Sequence, residues 1–505
     1  MRRQGILIIV IASLFAVMCV AYFAFVKPFT TPEEVPEEVP ETEEGEELGA
    51  SNRFFMFGSI DRADIAEIKI ENEYGAYAFE NDGKGNFHIK GYDKIPYDKE
   101  LFATLVNISS YTLSKTKVGS NLSAEKIAEY GLDKPKAGWT VLAKNGDSFK
   151  VHVGDRLLTG GGYYCMLEGR KSVYVLGTDI EKTVLCPVEG YVTPVLCAGI
   201  SQDDYYLTED FTMYKDGEQL FSLRVVDKSE QINKEALAEV MMDYPTDYYP
   251  NSSLYYELIY SYMNLNADAC LKLGATAEDF KKVGLDNPAH VITFDYKGTK
   301  FELKFSALTE DGVYYATSNL YPNVINTCLA ENFEYLEYDL IKWIDQYVYQ
   351  QYITNIKEMS VKTDKVEASY SLAHSFNSEG DAVLYVKAND EVFSEEQVAN
   401  FRQYYKSLIA VAIQDYYLND EYCKMTEEEM EEYIKDKDNA YLTFEYTTLS
   451  GDTTEIAFYQ YSTRHSLVTI NGVGEFYVLT DLVKKIENDT VRILNGETVT
   501  AFDKN

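Results

Sequence analysis

The chain has 505 residues, more than one ordinary domain holds, which favours several domains. Hydrophobic residues make up 46% of the sequence, enough to build cores and too many for a disordered chain. The formal net charge of −36 at pH 7 argues against a nucleic-acid partner, since binding phosphates needs a basic surface, and against docking on anionic lipid.

The first predicted element is a membrane-spanning helix over residues 6–26, which carry no charge. At about 1.5 Å per residue the run is ~30 Å long, which matches one hydrocarbon core. It ends in bulky residues rather than the small ones that signal peptidase requires, so we predict an uncleaved signal anchor. Arg2 and Arg3 hold the tip, residues 1–5, in the cytoplasm. The bulk of the chain is then predicted to be extracytoplasmic.

An acidic, proline-rich stalk is predicted for residues 27–58. Nine of the 15 residues 33–47 are Glu, and Pro32, Pro36 and Pro40 recur at every fourth position. Charge repulsion and proline stiffness both extend such a segment, and it has almost nothing apolar to bury. We interpret it as a solvated spacer between the membrane and the folded domains.

The first folded domain is predicted for residues 59–203. It opens with an alternating strand, residues 65–71, and a second strand that ends in the turn signal Asn81-Asp82-Gly83. Residues 101–108 have helical spacing, and a second helix is predicted from Ser123. An antiparallel meander of four strands follows, with its strands at residues 139–144, 149–153, 163–166 and 173–176.

A short motif lies between the helices and the meander and recurs along the chain. Gly131-Leu132-Asp133-Lys134-Pro135 returns 153 residues later as Gly284-Leu285-Asp286-Asn287-Pro288. Each glycine can take the left-handed conformation that ends a helix, and each leucine can pack back on the last turn. The residue before each proline is biased to extended geometry. We therefore predict a helix-to-strand corner, with the two aspartates capping its backbone rather than acting as paired acids.

Two further domains are predicted from the same order of elements. The second, residues 204–349, has a hairpin, a helix predicted from Asn233 to Met242, the corner motif and a meander. The third, residues 350–505, is degenerate, because Asp438-Asn439-Ala440 stands where the corner should be and lacks both Gly and Pro. The predicted fold class is α+β: an N-terminal transmembrane helix, an acidic stalk, then three tandem repeats of an antiparallel β-meander plus helices domain.

Two tyrosine pairs occupy matching positions in the first two repeats, Tyr163-Tyr164 and Tyr314-Tyr315. Tyrosine offers an apolar ring and a polar tip, so such pairs suit sugars or proteins. The favoured interpretation is that they are half-buried strand residues. As the alternative, they are possible binding loops of a cell-wall or glycan-binding surface protein.

The sequence predicts no catalytic, cofactor-binding or metal-binding residues. The five histidines show no zinc-ligand spacing, and the seven cysteines form no C-x-x-C pair. Ser123 and Lys126 fit the S-x-x-K motif of penicillin-binding proteins, but the partner motifs are absent. Residues 160–162 are three glycines, which we interpret as a hairpin loop rather than an anion cradle. We expect a chain without a cofactor that is not an enzyme; an envelope hydrolase with an unrecognised site is the least favoured alternative.

The order of hairpin, helix, G-L-D-x-P corner, meander and Tyr-Tyr strand resembles a domain-of-unknown-function family of bacterial envelope proteins. The resemblance covers residues 60–200 and 205–345 and is weak over 350–500. Members of that family have one N-terminal membrane helix and tandem copies of such a domain, and are often encoded beside gliding-motility-type ABC transporter components. The resemblance implies a bacterial cell membrane location and an accessory role with ABC transporter components as partners. It implies no catalytic residues, and its pattern requires neither the acidic stalk nor the high tyrosine content.

Overall fold

The computed structural model describes residues 42–226, 239–376 and 382–500. Over these residues the fold is α+β, with several antiparallel sheets in repeated-looking units. The chain divides into two compact units: unit 1 is Met1–Asp93 with Lys99–Pro187, and unit 2 is Lys94–Asp98 with Val188–Asn505. Within the described ranges, no helix has the length and apolar character needed to cross a bilayer. The helix predicted at residues 6–26 lies outside the described residues.

Unit 1 is built on an eight-stranded antiparallel sheet, preceded by the short paired strands β1 (Glu47–Leu48) and β2 (Phe54–Phe55). The strands of the sheet are β3 (Ile65–Asn72), β4 (Gly75–Asn81), β5 (Phe87–Ile89), β6 (Thr116–Gly119), β7 (Ala137–Ala143), β8 (Ser148–Arg156), β9 (Tyr163–Leu167) and β10 (Val173–Leu176). They lie in the order β5-β4-β3-β7-β8-β9-β10-β6. The meander β7 to β10 therefore extends at one side into the opening hairpin and at the other into β6.

Three helices accompany this sheet, α1 (Lys99–Ser110), α2 (Ala124–Glu129) and α3 (Asp179–Thr183). Helix α1 turns its apolar side to the core, where Phe102 and Leu105 are buried. The ring of Phe102 meets that of Phe79 on β4 edge-on at 5.0 Å. This contact fixes the helix on the hairpin side of the sheet, because paired aromatic rings favour such offset geometry.

Unit 2 contains a second sheet with the same strand order. Its strands are β12 (Thr208–Lys215), β13 (Glu218–Val225), β14 (Val240–Tyr244), β16 (Ala269–Leu273), β17 (His290–Tyr296), β18 (Thr299–Phe305), β19 (Val313–Ser318) and β20 (Val324–Leu329). They are arranged as β14-β13-β12-β17-β18-β19-β20-β16, while β11 (Val195–Ala198) and β15 (Asn264–Asn266) form a separate pair. The helices are α4 (Ser252–Tyr262), α5 (Ala277–Lys282) and α6 (Leu340–Trp343).

The predicted helix from Asn233 to Met242 is wrong where the structure describes it. Val240 to Met242 belong to the edge strand β14, with Met242 paired to Leu223 of β13. Residues 233–238 lie outside the described ranges. The apolar spacing is compatible with the period of 3.6 residues of a helix and with the period of two of a strand. Pairing with the neighbouring strand β13 makes this segment a strand. The helix of this repeat is α4, which Asn251 caps by accepting from the Leu254 amide at 3.3 Å.

The third sheet also lies in unit 2 and has nine strands. They are β21 (Ile356–Thr363), β22 (Glu367–Phe376), β23 (Ala382–Ala388), β24 (Glu391–Val392), β25 (Ile413–Tyr416), β26 (Leu442–Thr448), β27 (Thr453–Gln460), β28 (His465–Ile470) and β29 (Val473–Leu479). Their order is β24-β23-β22-β21-β26-β27-β28-β29-β25, so it matches the other two apart from the added edge strand β24. The helices are α7 (Glu395–Ile409), α8 (Glu427–Lys435) and α9 (Thr480–Leu494), and the predicted Ser394–Gln397 capping box begins α7.

The second and third sheets share one continuous hydrophobic core within unit 2. The ring of Tyr248 lies 5.5 Å from that of Phe476, and the Thr246 hydroxyl donates to the Ile470 carbonyl at 3.1 Å. Tyr349, at the predicted end of the second domain, packs on Phe444 with ring centroids 5.0 Å apart. The predicted boundary between residues 349 and 350 therefore falls inside a packed core rather than in a loose linker.

The corner motifs have the geometry of helix-ending glycines. Gly131 and Gly284 have φ values of +69° and +74°. The Leu132 amide donates to the Ile127 carbonyl at 3.3 Å and the Leu285 amide to the Phe280 carbonyl at 2.9 Å, while both leucines are buried. These bonds satisfy carbonyls that the helix end leaves open.

The third sheet solves the same corner without glycine. A single turn of 3-10 helix, Lys437–Asn439, follows α8, and the Asp436 side chain accepts from the Asp438 amide at 3.1 Å. The Asn439 side chain then donates to the Tyr433 carbonyl near the end of α8 at 2.9 Å. The Asn439 side-chain amide thus satisfies a carbonyl near the end of the helix, as backbone N–H groups do at the two glycine corners.

Residues 42–58 of the predicted stalk include buried side chains, whereas residues 27–41 lie outside the described residues. The Glu46 side chain has no exposed surface, and its carboxylate lies 2.9 Å from the Lys117 ammonium, which is 8% exposed. Burial alone would raise the pKa of Glu46, but hydrogen bonds from Tyr174 and Lys117 outweigh it and lower the pKa. Met56 and Phe57 are buried as well. Composition cannot predict this burial, because a glutamate that pairs with a buried lysine is the same residue in the sequence as a glutamate in solvent.

Candidate functional site

The two tyrosine pairs lie in strands β9 and β19, not in loops. The first tyrosine of each pair is buried, and its hydroxyl donates to a carboxylate: Tyr163 to Glu181 at 2.9 Å and Tyr314 to Glu337 at 2.7 Å. Each bond fastens the start of a strand to the segment that follows the meander. The hydroxyls of Tyr163 and Tyr314 are therefore engaged inside the fold, and a binding role for the tyrosine pairs stays a prediction.

The second tyrosine of each pair packs beside a corner motif. The ring of Tyr164 lies 4.5 Å from that of Tyr130, the residue before Gly131. Tyr315 packs with a small cluster that contains Leu285. Both side chains are partly exposed, so their apolar faces support the corner while the edges reach solvent.

The residues that resembled catalytic motifs have structural partners. Ser123 caps α2 by accepting from the Lys126 amide, and Lys126 pairs with Glu129 at 2.8 Å. Burial raises the pKa of the Cys186 thiol to about 11 and that of Cys270 to about 12, which makes both poor nucleophiles. All cysteines in the described ranges are free thiols, and these ranges contain no group of His, Cys, Asp and Glu arranged to hold a metal ion.

The sequence did not predict a polar cluster formed by His465, Asp420 and Tyr461. His465 Nδ1 lies 2.7 Å from Asp420, which also accepts from the Tyr461 hydroxyl at 2.6 Å. Burial alone would raise the pKa of Asp420, but these hydrogen bonds lower it. The residues are too far apart in the chain for any spacing rule to join them. These bonds tie the start of β28 to the loop after β25.

The feature that fits a ligand is a pocket within unit 2, with a volume of about 360 Å³. It lies between the hairpin side of the second sheet and the β26–β27 hairpin of the third. Arg224 and Met241 form a wall on the second sheet, and Tyr446 and Thr454 form one on the third; Tyr249 also lines the pocket, with its hydroxyl beside that of Tyr446. The remaining residues of the lining are Val226, Glu239, Asp247, Gln351, Asn355, Thr448, Leu449, Ser450 and Asp452.

The strand pairing explains how the two walls are held. Arg224 of β13 pairs with Met241 of β14, and Tyr446 of β26 pairs with Thr454 of β27. Gly451, with φ of +102°, turns the β26–β27 hairpin at the rim. Both walls therefore stand on regular ladders, which position side chains more firmly than loops do.

Most of the charged groups in the lining already have partners. Arg224 and Asp247 pair at 3.6 Å. The Ser450 hydroxyl donates to Asp452 at 2.7 Å, and the hydroxyls of Thr448 and Ser450 are hydrogen-bonded at 2.7 Å. The chain of hydroxyls ending on a carboxylate is polarised along its length. The hydroxyl of Thr448 is thus the outer end of an ordered network.

Several neutral polar groups in the lining are short of partners. Tyr249 Oη, Gln351 Oε1 and Asn355 Nδ2 are buried atoms without a hydrogen bond of acceptable geometry among the described residues. Tyr249 and Gln351 are each 9% exposed. Burial raises the pKa of Tyr249 well above its usual value, so its phenol stays protonated and can donate. A buried polar group without a partner costs on the order of 1–3 kcal/mol, so this wall is completed by whatever fills the pocket.

Sequence reasoning missed this pocket because its residues come from five separated stretches of the chain. The turn Ser450-Gly451-Asp452 was visible as a hairpin signal but nothing in the sequence placed it opposite Arg224. Comparison with known proteins gives no further guide: no family model matches the chain, and no curated protein matches it either.

Proposed function

We propose that this chain is a membrane-anchored, extracytoplasmic binding and scaffold protein without catalytic activity, and an accessory component of an ABC-transporter-type envelope complex of a bacterium. The observation that carries the binding role is the pocket of unit 2. Its lining combines paired charges, ordered hydroxyls and unpartnered neutral groups. Such a concave, mixed surface suits recognition of a ligand.

The repeated sheets support a scaffold. Three sheets with one strand order give the chain three related surfaces, and duplicating a weak binding surface increases avidity without new contacts. We propose that they are tandem copies of one domain, with the boundaries 59–203, 204–349 and 350–505. The third has kept the sheet while replacing the glycine corner.

The membrane location and the transporter partner rest on the sequence. Residues 6–26 are uncharged and follow Arg2-Arg3, which favours a signal anchor with a cytoplasmic tip. The resemblance to envelope proteins encoded beside ABC transporter components supplies the partner. The proposed single-pass arrangement places both compact units outside the cytoplasm.

Co-purification from the native membrane tests this proposal. The full chain, tagged at its C-terminus and extracted in mild detergent, should bring down an ABC permease. The matched control replaces residues 6–26 with an unrelated membrane anchor of equal length, so that the ectodomain stays at the same surface. Repeated absence of any permease would overturn the transporter role, and a chain protected from external protease in spheroplasts would overturn the topology.

A further inference from the structure

We propose that the pocket of unit 2 binds a small neutral saccharide, a mono- or disaccharide with free hydroxyl groups. This inference rests on the proposed binding function and names the ligand class of the same pocket. It does not use the tyrosine pairs, whose first members are buried. Three features of the pocket support this ligand class: its size, its hydrogen-bonding groups and its charge.

The size favours a small ligand. A volume of about 360 Å³ lies near the lower end of the range of roughly 300–1,000 Å³ that small-molecule sites occupy. A polymer chain would need a long groove, whereas one or two sugar rings fit a partly open pocket of this size. The ligand is therefore a short saccharide or the terminal sugar of a longer one.

The hydrogen-bonding groups favour hydroxyls. The buried groups that lack partners include a donor and an acceptor: the Asn355 amide nitrogen can donate, and the Gln351 amide oxygen accepts. A phosphate could satisfy only the donor and an ammonium only the acceptor. A sugar hydroxyl donates and accepts at once, so a single kind of ligand group can complete the whole set.

The charges in the lining disfavour ionic ligands. The one arginine, Arg224, is engaged with Asp247, and Asp452 accepts from Ser450. An anion would have to displace Asp247 from Arg224 and would also meet the carboxylates of Glu239 and Asp452, whereas a cation would have to draw Asp247 from Arg224 or Asp452 from Ser450, or pair with Glu239. A neutral ligand leaves both pairs intact and still gains the ordered hydroxyls of Thr448 and Ser450.

The apolar part of the lining suits a sugar ring as well. Leu449 at the rim is largely exposed, and Met241 lines the opposite wall. A pyranose ring carries C–H groups on its faces and hydroxyls around its edge. The edge can then meet the amides and hydroxyls while the faces lie against Leu449 and Met241, which removes apolar surface from water.

Calorimetric titration of the full chain tests the inference. The chain is kept in a polyoxyethylene detergent, because the sugar headgroup of a maltoside would compete. The probes are the neutral disaccharides cellobiose and chitobiose, the cation spermidine and inorganic phosphate. We expect a disaccharide to bind and the two ions to give no signal.

Two variants locate the binding. Gln351→Met keeps the length and apolar volume of the side chain but removes the amide, and Asn355→Leu removes the other unpartnered amide while keeping a side chain of similar shape. Each should weaken disaccharide binding by at least about fivefold, the effect of losing one hydrogen bond to a partly buried group. Gln346→Met is the matched control, because Gln346 is exposed and outside the pocket. Its affinity should equal that of the unmodified chain.

The outcomes separate this inference from the proposed function. Equal affinity in all three variants would place the sugar elsewhere and overturn the inference. Binding of spermidine or phosphate in place of the sugars would overturn the saccharide class while leaving a binding protein. Absence of any binding, with folding verified by tryptophan fluorescence, would also overturn the inference, whereas the permease pull-down decides the scaffold role independently.

Discussion

The two corner glycines give a matched test of how the repeats are built. Replacing either by alanine forces an L-residue into the left-handed conformation, which costs about 1–2 kcal/mol. At Gly284 this strain is the whole effect, because the nearest atom to an added Cβ would be Ser306 Cβ at 4.0 Å. We therefore expect Gly284→Ala to destabilise its unit by about 1–2 kcal/mol.

Gly131→Ala should lower the stability of its unit by more, because the added Cβ would meet the Asp155 side chain. An added Cβ would lie 2.7 Å from the Asp155 Cγ, so this carboxylate must swing away. Asp155 is half-exposed and can move, but it would leave its ion pair with Lys136, formed at 3.0 Å. A surface pair of this kind is worth at most about 1 kcal/mol, which sets the expected difference between the two variants. In an Asp155→Ala background the difference should disappear.

The two tryptophans of the chain allow each variant to be read separately. Trp139 lies in unit 1 and Trp343 in unit 2, and both are buried. In the described residues neither indole N–H has a hydrogen-bond partner, so replacing one tryptophan by phenylalanine loses no hydrogen bond. Urea unfolding followed by the remaining fluorescence then reports one unit at a time.

A loss of about 1 kcal/mol corresponds to a midpoint shift of roughly 0.3–1 M urea, since the slope is typically about 1–3 kcal/mol per molar. Gly131→Ala should lower the midpoint reported by Trp139, and Gly284→Ala the midpoint reported by Trp343. Unchanged midpoints in both backgrounds would refute the left-handed corner. A larger effect at Gly284 than at Gly131 would refute the role assigned to Asp155.

Three further predictions use the same fluorescence assay. Glu46→Gln leaves the buried Lys117 ammonium with only the more distant Glu43 carboxylate, at 3.7 Å, and should cost up to about 3 kcal/mol in unit 1; adding Lys117→Met should restore most of it, and an unchanged midpoint would contradict the buried pair. Burial lowers the pKa of His290 despite the opposing charge of Glu337, so the unfolded chain binds the proton more readily. The contribution of His290 should therefore make unit 2 less stable as the pH drops below about 6.5, by at most about 1.4 kcal/mol per pH unit. Burial also lowers the pKa of His374, which acts in the same direction, so His290→Ala, the residue that β7 has at this place, should reduce the slope between pH 7.5 and 5.5 without abolishing it. Asn439→Ala removes the bond to the Tyr433 carbonyl and should cost about 1 kcal/mol, whereas the exposed neighbour change Asp438→Ala should cost less.

The elements that sequence reasoning placed well are those that neighbouring residues determine. The corner at Gly131 and Gly284, the capping box at Ser394 and the hairpin turn at Gly451 each depend on a few adjacent residues, and all have the expected local geometry. The alternating strands were also visible, because the period of two is written into the order of side chains. The edge pairings of β6, β16 and β25 were not, since nothing in a short polar strand specifies its partner.

The failures share one cause, a contact that the chain order does not show. Glu46 looked like part of a solvated spacer because its partner Lys117 is 71 residues away. The predicted helix from Asn233 to Met242 gave way to pairing with β13. The sequence likewise did not show that the hydroxyls of Tyr163 and Tyr314 bond to Glu181 and Glu337. Burial and partner choice are properties of the packed chain, so composition alone cannot supply them.

The pocket is lined by residues from two sheets of unit 2. Its walls come from different positions of two sheets, the β13–β14 edge of the second and the β26–β27 turn of the third. Arg224 and Met241 belong to the second sheet, whereas Tyr446 and Thr454 belong to the third, so neither sheet forms the whole lining. The shared core that contains Tyr349 packs the two sheets together and so holds the lining residues near one another. A ligand in the pocket would therefore contact both sheets, and changes to either sheet should alter its affinity.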